Sequence, residues 1–141
     1  MTRALSTATV PIASEIDIVH VRQAAREAAT TAGLNLVQQT KLVTAASELA
    51  RNALVYGGGG EATTTVEEEG GIRTVRMTFT DSGPGIPDLD LAMTDGYTTG
   101  SGLGLGLGGT KRLADQFGVD TAPGKGTTVR IAFSARKRPG L

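Results

Sequence analysis

Two polar side chains that could do chemistry, Glu48 and Asn52, stand four residues apart in a segment with helical periodicity. This spacing places both on one face of a helix. The apolar residues of the segment form a neighbouring stripe that predicts the core face: Leu42, Ala46, Leu49 and Ala53. The polar pair then lies at the edge of the core, where a carboxylate can accept a proton and an amide oxygen can bind Mg²⁺. A solvated helix face would carry the same pair.

A second carboxylate, Asp81, ends a segment of alternating hydrophobicity at residues 74–81. The apolar side chains of this segment share one face: Val75, Met77 and Phe79. Asp81 has the same parity, and a buried charge needs a hydrogen-bond donor, which the exocyclic amine of adenine could provide. Gly83 and Gly85 follow and would let a flat ring approach the backbone. A turn aspartate at a strand end is the competing interpretation.

A glycine-rich run at residues 102–109 leads into a predicted helix. Glycines permit close backbone approach, and a helix N-terminus offers free N–H groups, so the run could hold phosphate. It lacks the Gly-Lys-Ser/Thr ending of a P-loop, and no strand typical of a parallel sheet precedes it. Lys111 and Arg112 follow, where they could neutralise phosphate or face solvent.

Thr127 lies at the start of the last predicted strand, on the face shared by its apolar residues Val129, Ile131 and Phe133. This parity directs its hydroxyl to the same cleft as Asp81, where the two could bind a base through one water. A hairpin exit is the simpler explanation of the Gly126-Thr127 pair. The single histidine, His20, has no partner cluster, and we expect no metal site there.

The elements that position these residues predict an α+β fold. Ser14 and Asn35 can cap helices at 15–32 and 36–55. The remaining predicted elements are strands at 7–12, 61–69, 72–81, 119–122 and 126–134, a helical turn at 88–93, a mobile loop at 94–103 and a third helix at 104–117. We expect a two-layer α/β sandwich whose mixed, mostly antiparallel sheet carries three helices on one face.

Composition narrows the class of protein. The chain has 141 residues, a formal net charge of +0 and no cysteine. We expect a single domain over residues 1–141, with a flexible basic tail at 135–141. The neutral charge gives no general reason to expect a nucleic-acid or membrane partner. The absence of cysteine excludes disulfides and thiolate sites. With neither a signal peptide nor a long apolar span apparent, we expect a cytoplasmic protein.

Taken in chain order, these features resemble the N, G1, G2 and G3 boxes of the GHKL (Bergerat-fold) ATPase and kinase superfamily, over about residues 10–134. The resemblance implies bound ATP and Mg²⁺. It implies that Glu48 is the general base and that Asn52 is a Mg²⁺ ligand. Asp81 would accept a hydrogen bond from the adenine amine in a pocket shaped by Gly83 and Gly85, and Thr127 would assist adenine binding. Residues 94–101 would form an ATP lid, and the phosphate contacts would be Gly102, Gly104, Gly106 and Leu107.

The phrases Ser47-Glu48-Leu49-Ala50-Arg51-Asn52 and Asp95-Gly96-Tyr97-Thr98-Thr99 look like the RsbT-like branch of bacterial partner-switching kinases. That branch implies phosphorylation of Ser or Thr on a STAS-domain antagonist protein, with a phosphatase or sigma factor as a further partner. Many relatives carry histidine where this chain has Tyr56. Three alternatives stay open: an anti-sigma factor of the RsbW type, a non-catalytic ATP-dependent binding module, and a simple ATPase.

Overall fold

The computed structural model describes residues 1–93 and 106–135. Over this part of the chain the polypeptide forms five strands and four helices. In chain order they are β1 (Arg3–Ile12), α1 (Glu15–Ala32), α2 (Leu36–Val55), β2 (Gly60–Glu69), β3 (Ile72–Asp81), α3 (Leu89–Ala92), α4 (Leu107–Leu113), β4 (Gln116–Thr121) and β5 (Thr127–Ser134).

The strands form one sheet in the order β1-β2-β3-β5-β4. All four pairings are antiparallel, whereas the sequence predicted a mixed, mostly antiparallel sheet. Pro11 lies in β1 at the sheet edge, where a missing backbone N–H is tolerated. The central pairing of β3 with β5 sets Asp81 opposite Thr127. Strand order therefore brings together two residues that lie far apart in the sequence.

Both long helices begin at the predicted caps. The Gln38 amide donates to the side-chain oxygen of Asn35 at 2.8 Å, and the Asn35 amide donates back to the Gln38 side chain at 3.1 Å. This reciprocal pair satisfies two backbone donors at the start of α2. At the start of α1, the amide of Ser14 donates to the Asp17 carboxylate at 3.1 Å. Two local signals thus fix where the helices begin.

The core lies between the sheet and helices α1 and α2. The predicted stripe of α2 is buried, since Leu42, Ala46, Leu49 and Ala53 are each at most 3% exposed. Opposite them are the apolar face of β3, including Met77 and Phe79, and the β5 residue Phe133. The small alanine side chains on both helices allow close approach. Glu48 and Asn52 sit one step round α2 from this face, which holds them at the edge of the core.

The third predicted helix was wrong at its C-terminal end. In the structure α4 ends at Leu113, Ala114 is extended, and residues 116 and 117 belong to β4. Gln116 pairs with Ala132 of β5, so the ladder of the sheet overrides local helix propensity. Strand β1 is also longer than predicted, because it pairs with β2 along its whole length apart from an irregularity between Ala4 and Ser6.

Parts of the sequence prediction lie outside the described residues. These are the loop at 94–103, the lid at 94–101, and all of the basic tail except Ala135. The single domain over 1–141 stays a prediction. In the described part of the chain, no helix is long and apolar enough to cross a bilayer.

Candidate functional site

A cleft opens between the C-terminal half of α2, the last residues of β3, the first residues of β5 and the first residue of α4. We call it the inner cleft. It is lined by Leu49, Asn52, Ala53, Tyr56, Gly57, Phe79, Asp81, Gly85, Ile86, Leu107, Thr127 and Val129, and its empty volume, including solvent at the mouth, is about 450 Å³. Five predicted site residues therefore share one cavity: Asn52, Asp81, Gly85, Leu107 and Thr127.

Asp81 lines the inner cleft at the end of β3. Its side chain follows the apolar face of β3, as the strand parity predicted, and is half-buried. One carboxylate oxygen, Oδ1, accepts a hydrogen bond from the Gly83 amide at 2.9 Å. That bond holds the carboxylate plane against the loop after β3. A carboxylate is an acceptor only, with capacity beyond one bond, so it remains able to accept from a ligand amine.

Gly57 is a site residue that the sequence analysis missed. A side-chain carbon there would lie 2.6 Å from Oδ2 of Asp81, and one at Gly83 would lie 2.7 Å from the Gly57 Cα. The three residues are therefore packed so that only a bare backbone fits behind the carboxylate. Gly57 does not have a positive φ, so the requirement is one of space. In the sequence it is the first of four consecutive glycines, and only the fold places it behind Asp81.

A threonine cluster supports the opposite wall of the inner cleft. The Thr121 hydroxyl accepts from the Ile86 amide at 2.9 Å and lies 2.9 Å from the Thr127 hydroxyl. It also donates to the Gly126 carbonyl at 3.2 Å. One hydroxyl thus ties the loop after β3 to the start of β5. Thr121 was not predicted, because no local pattern shows that it faces two other segments.

Glu48 and Asn52 project from consecutive turns of α2, yet they face different cavities. Asn52 lines the inner cleft, whereas Glu48 lies against Gly106, the residue before α4. A side-chain carbon at Gly106 would lie 2.6 Å from Oε1 of Glu48, and Gly106 has a φ of +63°. Glycine is therefore favoured at position 106, because the backbone conformation suits it and because Glu48 leaves no space for a side chain there. The start of α4 forms the partition between the two cavities.

Burial raises the pKa of the Glu48 carboxyl, and the positive charge of nearby Arg51 partly offsets the rise. A carboxylate with a raised pKa is a better proton acceptor than one in free solution. The half-buried position of Glu48 beside Gly106 therefore suits a general base. This cause differs from the one at Asp17, where a backbone hydrogen bond from Ala13 is the largest influence that lowers the carboxyl pKa.

Glu48 opens onto a second cavity, which we call the arginine groove. Its lining comes from α1, α2 and α4: Arg22, Arg26, Val43, Thr44, Ser47, Glu48, Gly106, Gly109, Thr110, Arg112 and Leu113. Its empty volume, including solvent, is about 1130 Å³. Arg112 lies in this groove, and Lys111 is exposed on α4. The sequence analysis named both as residues that could neutralise phosphate. The two cavities meet where Leu107 and Gly106 adjoin.

Two predicted glycine contacts, Gly102 and Gly104, lie outside the described residues. Gly83 supports Asp81 from behind rather than lining the inner cleft. Among the described residues there is no cluster of three or more histidine, aspartate or glutamate side chains that could hold a metal alone. Mg²⁺ usually takes only one or two protein ligands beside phosphate oxygens and water. The amide oxygen of Asn52 therefore fits a metal shared with a bound phosphate.

The chain belongs to the family of histidine kinase-, DNA gyrase B- and HSP90-like ATPases, whose model matches residues 37–137. Within that family it is 41% identical over 121 residues to the serine/threonine-protein kinase RsbT of Bacillus subtilis, covering 86% of this chain and 91% of RsbT. It is 32% identical over 109 residues to the anti-sigma F factor of Bacillus licheniformis, covering 72% of this chain and 73% of that protein. The predicted family and the likeness to RsbT-type kinases are confirmed.

Two solved structures share the fold. The RsbU and RsbW domains of a Mycobacterium tuberculosis protein superpose with a TM-score of 0.64 at 19% identity, covering 94% of this chain and 34% of that one. The SiaB–SiaC complex of Pseudomonas aeruginosa gives a TM-score of 0.52 at 16% identity, covering 94% and 91%. The predicted α+β sandwich is confirmed.

Proposed function

We propose that this protein is an ATP-dependent serine/threonine kinase that transfers the γ-phosphate to a STAS-domain antagonist protein. The observation that carries the proposal is that Asp81 and Asn52 line one cleft, while Glu48 lies against Gly106 at the partition beside that cleft. A purine-reading carboxylate, a metal-binding amide and a proton acceptor are thereby spaced along the route that a nucleoside triphosphate would take. The family match and the 41% identity to RsbT support this assignment.

In the inner cleft, Asp81 accepts a hydrogen bond from the adenine amine, because the bond from Gly83 leaves part of its acceptor capacity free. Thr127 adds a hydroxyl beside it, and Phe79, Ile86 and Val129 provide apolar surface for the ring. A mostly apolar cleft with a few fixed polar groups is the usual form of a small-molecule site. The phosphates then point toward Gly106 and Leu107.

When bound, Mg²⁺ would supply positive charge to the phosphate oxygens, and Asn52 would hold it through its amide oxygen. Glu48 accepts the proton of an incoming serine or threonine hydroxyl on the far side of Gly106. Phosphoryl transfer depends mainly on positioning and on stabilisation of charge, so this small set of side chains is sufficient. The backbone at Gly106 fixes the base because Glu48 packs directly against it.

The STAS-domain substrate follows from the resemblance to partner-switching kinases, and a phosphatase or a sigma factor is the further partner we propose. A second candidate, an anti-sigma factor of the RsbW type, is favoured by the 32% identity to an anti-sigma F factor. A cytoplasmic location remains a prediction from the sequence.

The test mixes the purified protein with ATP radiolabelled at the γ-phosphate and STAS-domain proteins encoded by neighbouring genes. We expect label on one serine or threonine of one such protein. Tight nucleotide binding without transfer to any of them would favour a binding module. Phosphate release without protein substrate, at a rate comparable with transfer, would instead identify an ATPase. Retention of a sigma factor by the protein would support the anti-sigma candidate.

Gly57→Ala is expected to weaken ATP binding at least about ten-fold, because the added methyl group must displace the Asp81 carboxylate. The measurement is titration with ATP and with inosine triphosphate, which lacks the 6-amino group. We expect the preference for ATP to shrink, since the displaced carboxylate no longer meets the amine.

Gly118→Ala is the matched control. Its new side-chain carbon would lie 3.6 Å from the Arg130 guanidinium, an ordinary contact, and Gly118 lines neither the inner cleft nor the arginine groove. This control should keep both affinities. If Gly57→Ala kept the full preference for ATP over inosine triphosphate, Asp81 would not be the group that reads the base.

A further inference from the structure

We infer that Thr121, which does not line the inner cleft itself, holds the Thr127 hydroxyl in the cleft as a hydrogen-bond acceptor. Thr127 and Asp81 then present two acceptors to one amino group of the base. Thr121 is thereby a positioning residue that helps to select a purine with a 6-amino group. The inference rests on the proposed nucleotide site and adds the residue that sets its hydrogen-bonding polarity.

The Thr121 hydroxyl has three hydrogen-bond partners, and the direction of two of these bonds is fixed. The Ile86 amide, 2.9 Å away, can only donate, and the Gly126 carbonyl, 3.2 Å away, can only accept. A hydroxyl has one hydrogen and two lone pairs. The hydrogen therefore goes to Gly126 and one lone pair to Ile86, which leaves one lone pair for the third partner.

The third partner is the Thr127 hydroxyl, 2.9 Å from the Thr121 hydroxyl. Because Thr121 has only a lone pair left for this bond, Thr127 must be the donor in it. Among the described residues, Thr121 is the one hydrogen-bond partner of the Thr127 hydroxyl. Thr127 thus gives its only hydrogen to Thr121 and offers only lone pairs to the inner cleft.

The sheet register sets these side chains in one row. Thr121 lies opposite Thr127 in the pairing of β4 with β5, and Thr127 lies opposite Asp81 in the pairing of β3 with β5. Residues directly opposite each other in antiparallel strands share a face of the sheet. The row therefore leads from Thr121 on the edge strand to the two side chains that line the inner cleft.

Asp81 and Thr127 suit a single amino group. Cβ atoms of directly opposite residues are about 4.5–5.5 Å apart, so two acceptors can flank one nitrogen. An amino group has two hydrogens and can donate one to each acceptor. A carbonyl in the same place would face two acceptors and leave both without a donor. The pair therefore favours a 6-amino purine over a 6-oxo purine, provided that Thr121 keeps Thr127 as an acceptor.

The test compares Thr121→Val with Thr121→Ser by titration with ATP and with inosine triphosphate. Valine has nearly the shape of threonine but no hydroxyl, so Thr127 loses its acceptor and its hydrogen becomes free to point into the cleft. We expect the preference for ATP over inosine triphosphate to fall about three- to ten-fold, with affinity for inosine triphosphate kept or increased. Serine keeps the hydroxyl, so Thr121→Ser should keep the wild-type preference. Equal weakening of both nucleotides in Thr121→Val would indicate a structural role only and would overturn the inference.

Thr127→Val tests the same step without removing the bonds from Thr121 to Ile86 and Gly126. It removes the acceptor itself, and we expect a loss of preference of similar size. Adding Thr121→Val to this variant should change the preference no further, because both substitutions act on one interaction. A further loss in the double variant would show that Thr121 acts by another route and that the inference is wrong.

Thr128→Val is the matched control, because Thr128 follows Thr127 on β5, points to the other face of the sheet and does not line the inner cleft. It should keep both nucleotide affinities. Thermal melting establishes that all the variants are folded. Equal affinity of the wild type for the two nucleotides, or an unchanged preference in Thr121→Val, would also overturn the inference.

Binding and phosphoryl transfer separate this inference from the kinase proposal. If the wild type shows a preference for ATP that depends on Thr121 but transfers no phosphate to any protein, the kinase proposal fails and the role of Thr121 stands. If it transfers phosphate while Thr121→Val keeps the full preference for ATP, the role of Thr121 fails and the kinase proposal stands.

Discussion

Asp81→Asn is expected to reduce ATP affinity at least about a hundred-fold, because it leaves a donor facing a donor in the inner cleft. Oδ1 of Asp81 already accepts from the Gly83 amide at 2.9 Å. In the variant the single amide oxygen is expected to keep that bond, since it has no other acceptor to offer. The NH₂ group then points into the inner cleft, where the adenine amine also donates.

The measurement is titration with a fluorescent ATP analogue and competition by unlabelled nucleotides. Inosine triphosphate carries a carbonyl where ATP carries the amine, so we expect the variant to prefer it relative to ATP. Asp120→Asn is the control, because Asp120 is exposed on β4 and pairs with Arg130 outside both cavities. Unchanged ATP affinity in Asp81→Asn would remove the adenine role.

Glu48→Gln and Glu48→Ala are expected to lower the rate of phosphoryl transfer by about 10²- to 10⁴-fold while ATP binding survives. The glutamine variant keeps the shape that packs against Gly106 and removes only the ability to accept a proton. Because Glu48 faces the arginine groove rather than the inner cleft, the nucleotide pocket should be little affected. Transfer at the normal rate in Glu48→Gln would exclude Glu48 as the base.

The pH dependence gives a second readout for Glu48. Burial raises its pKa, so the wild-type transfer rate should rise as the pH increases through that raised value. This rise of the rate with pH should be absent from any residual activity of Glu48→Gln.

Thermal stability should show the opposite trend with pH. A carboxyl whose pKa is raised by folding stabilises the protein below its unfolded pKa, and that contribution is lost as pH rises through the folded value. We therefore expect Glu48→Gln to melt no lower than wild type at neutral pH.

The sequence by itself determined the local structure and the identity of most candidate residues. The capping pair at Asn35, the apolar stripe of α2 and the alternation of β3 are periodic or adjacent signals that a short window contains. These signals place Glu48 and Asn52 on one helix, and Asp81 on the inward face of its strand. The order of the motifs along the chain was sufficient to identify the family.

Only the tertiary structure decided which of these residues share a cavity. Glu48 and Asn52 occupy one helix face, yet the start of α4 passes between them and directs them to different cavities. Gly57 and Thr121 became site residues because strand order brings the end of α2 and the end of β4 against Asp81 and Thr127.

The same reason explains the error at the end of α4. Gln116 has no local feature that favours a strand, and pairing with Ala132 of β5 decides its conformation. The arginine groove likewise joins α1, α2 and α4, whose charged residues lie far apart in the chain. Contacts between distant segments depend on how the sheet and helices pack, and no periodicity within one segment encodes them.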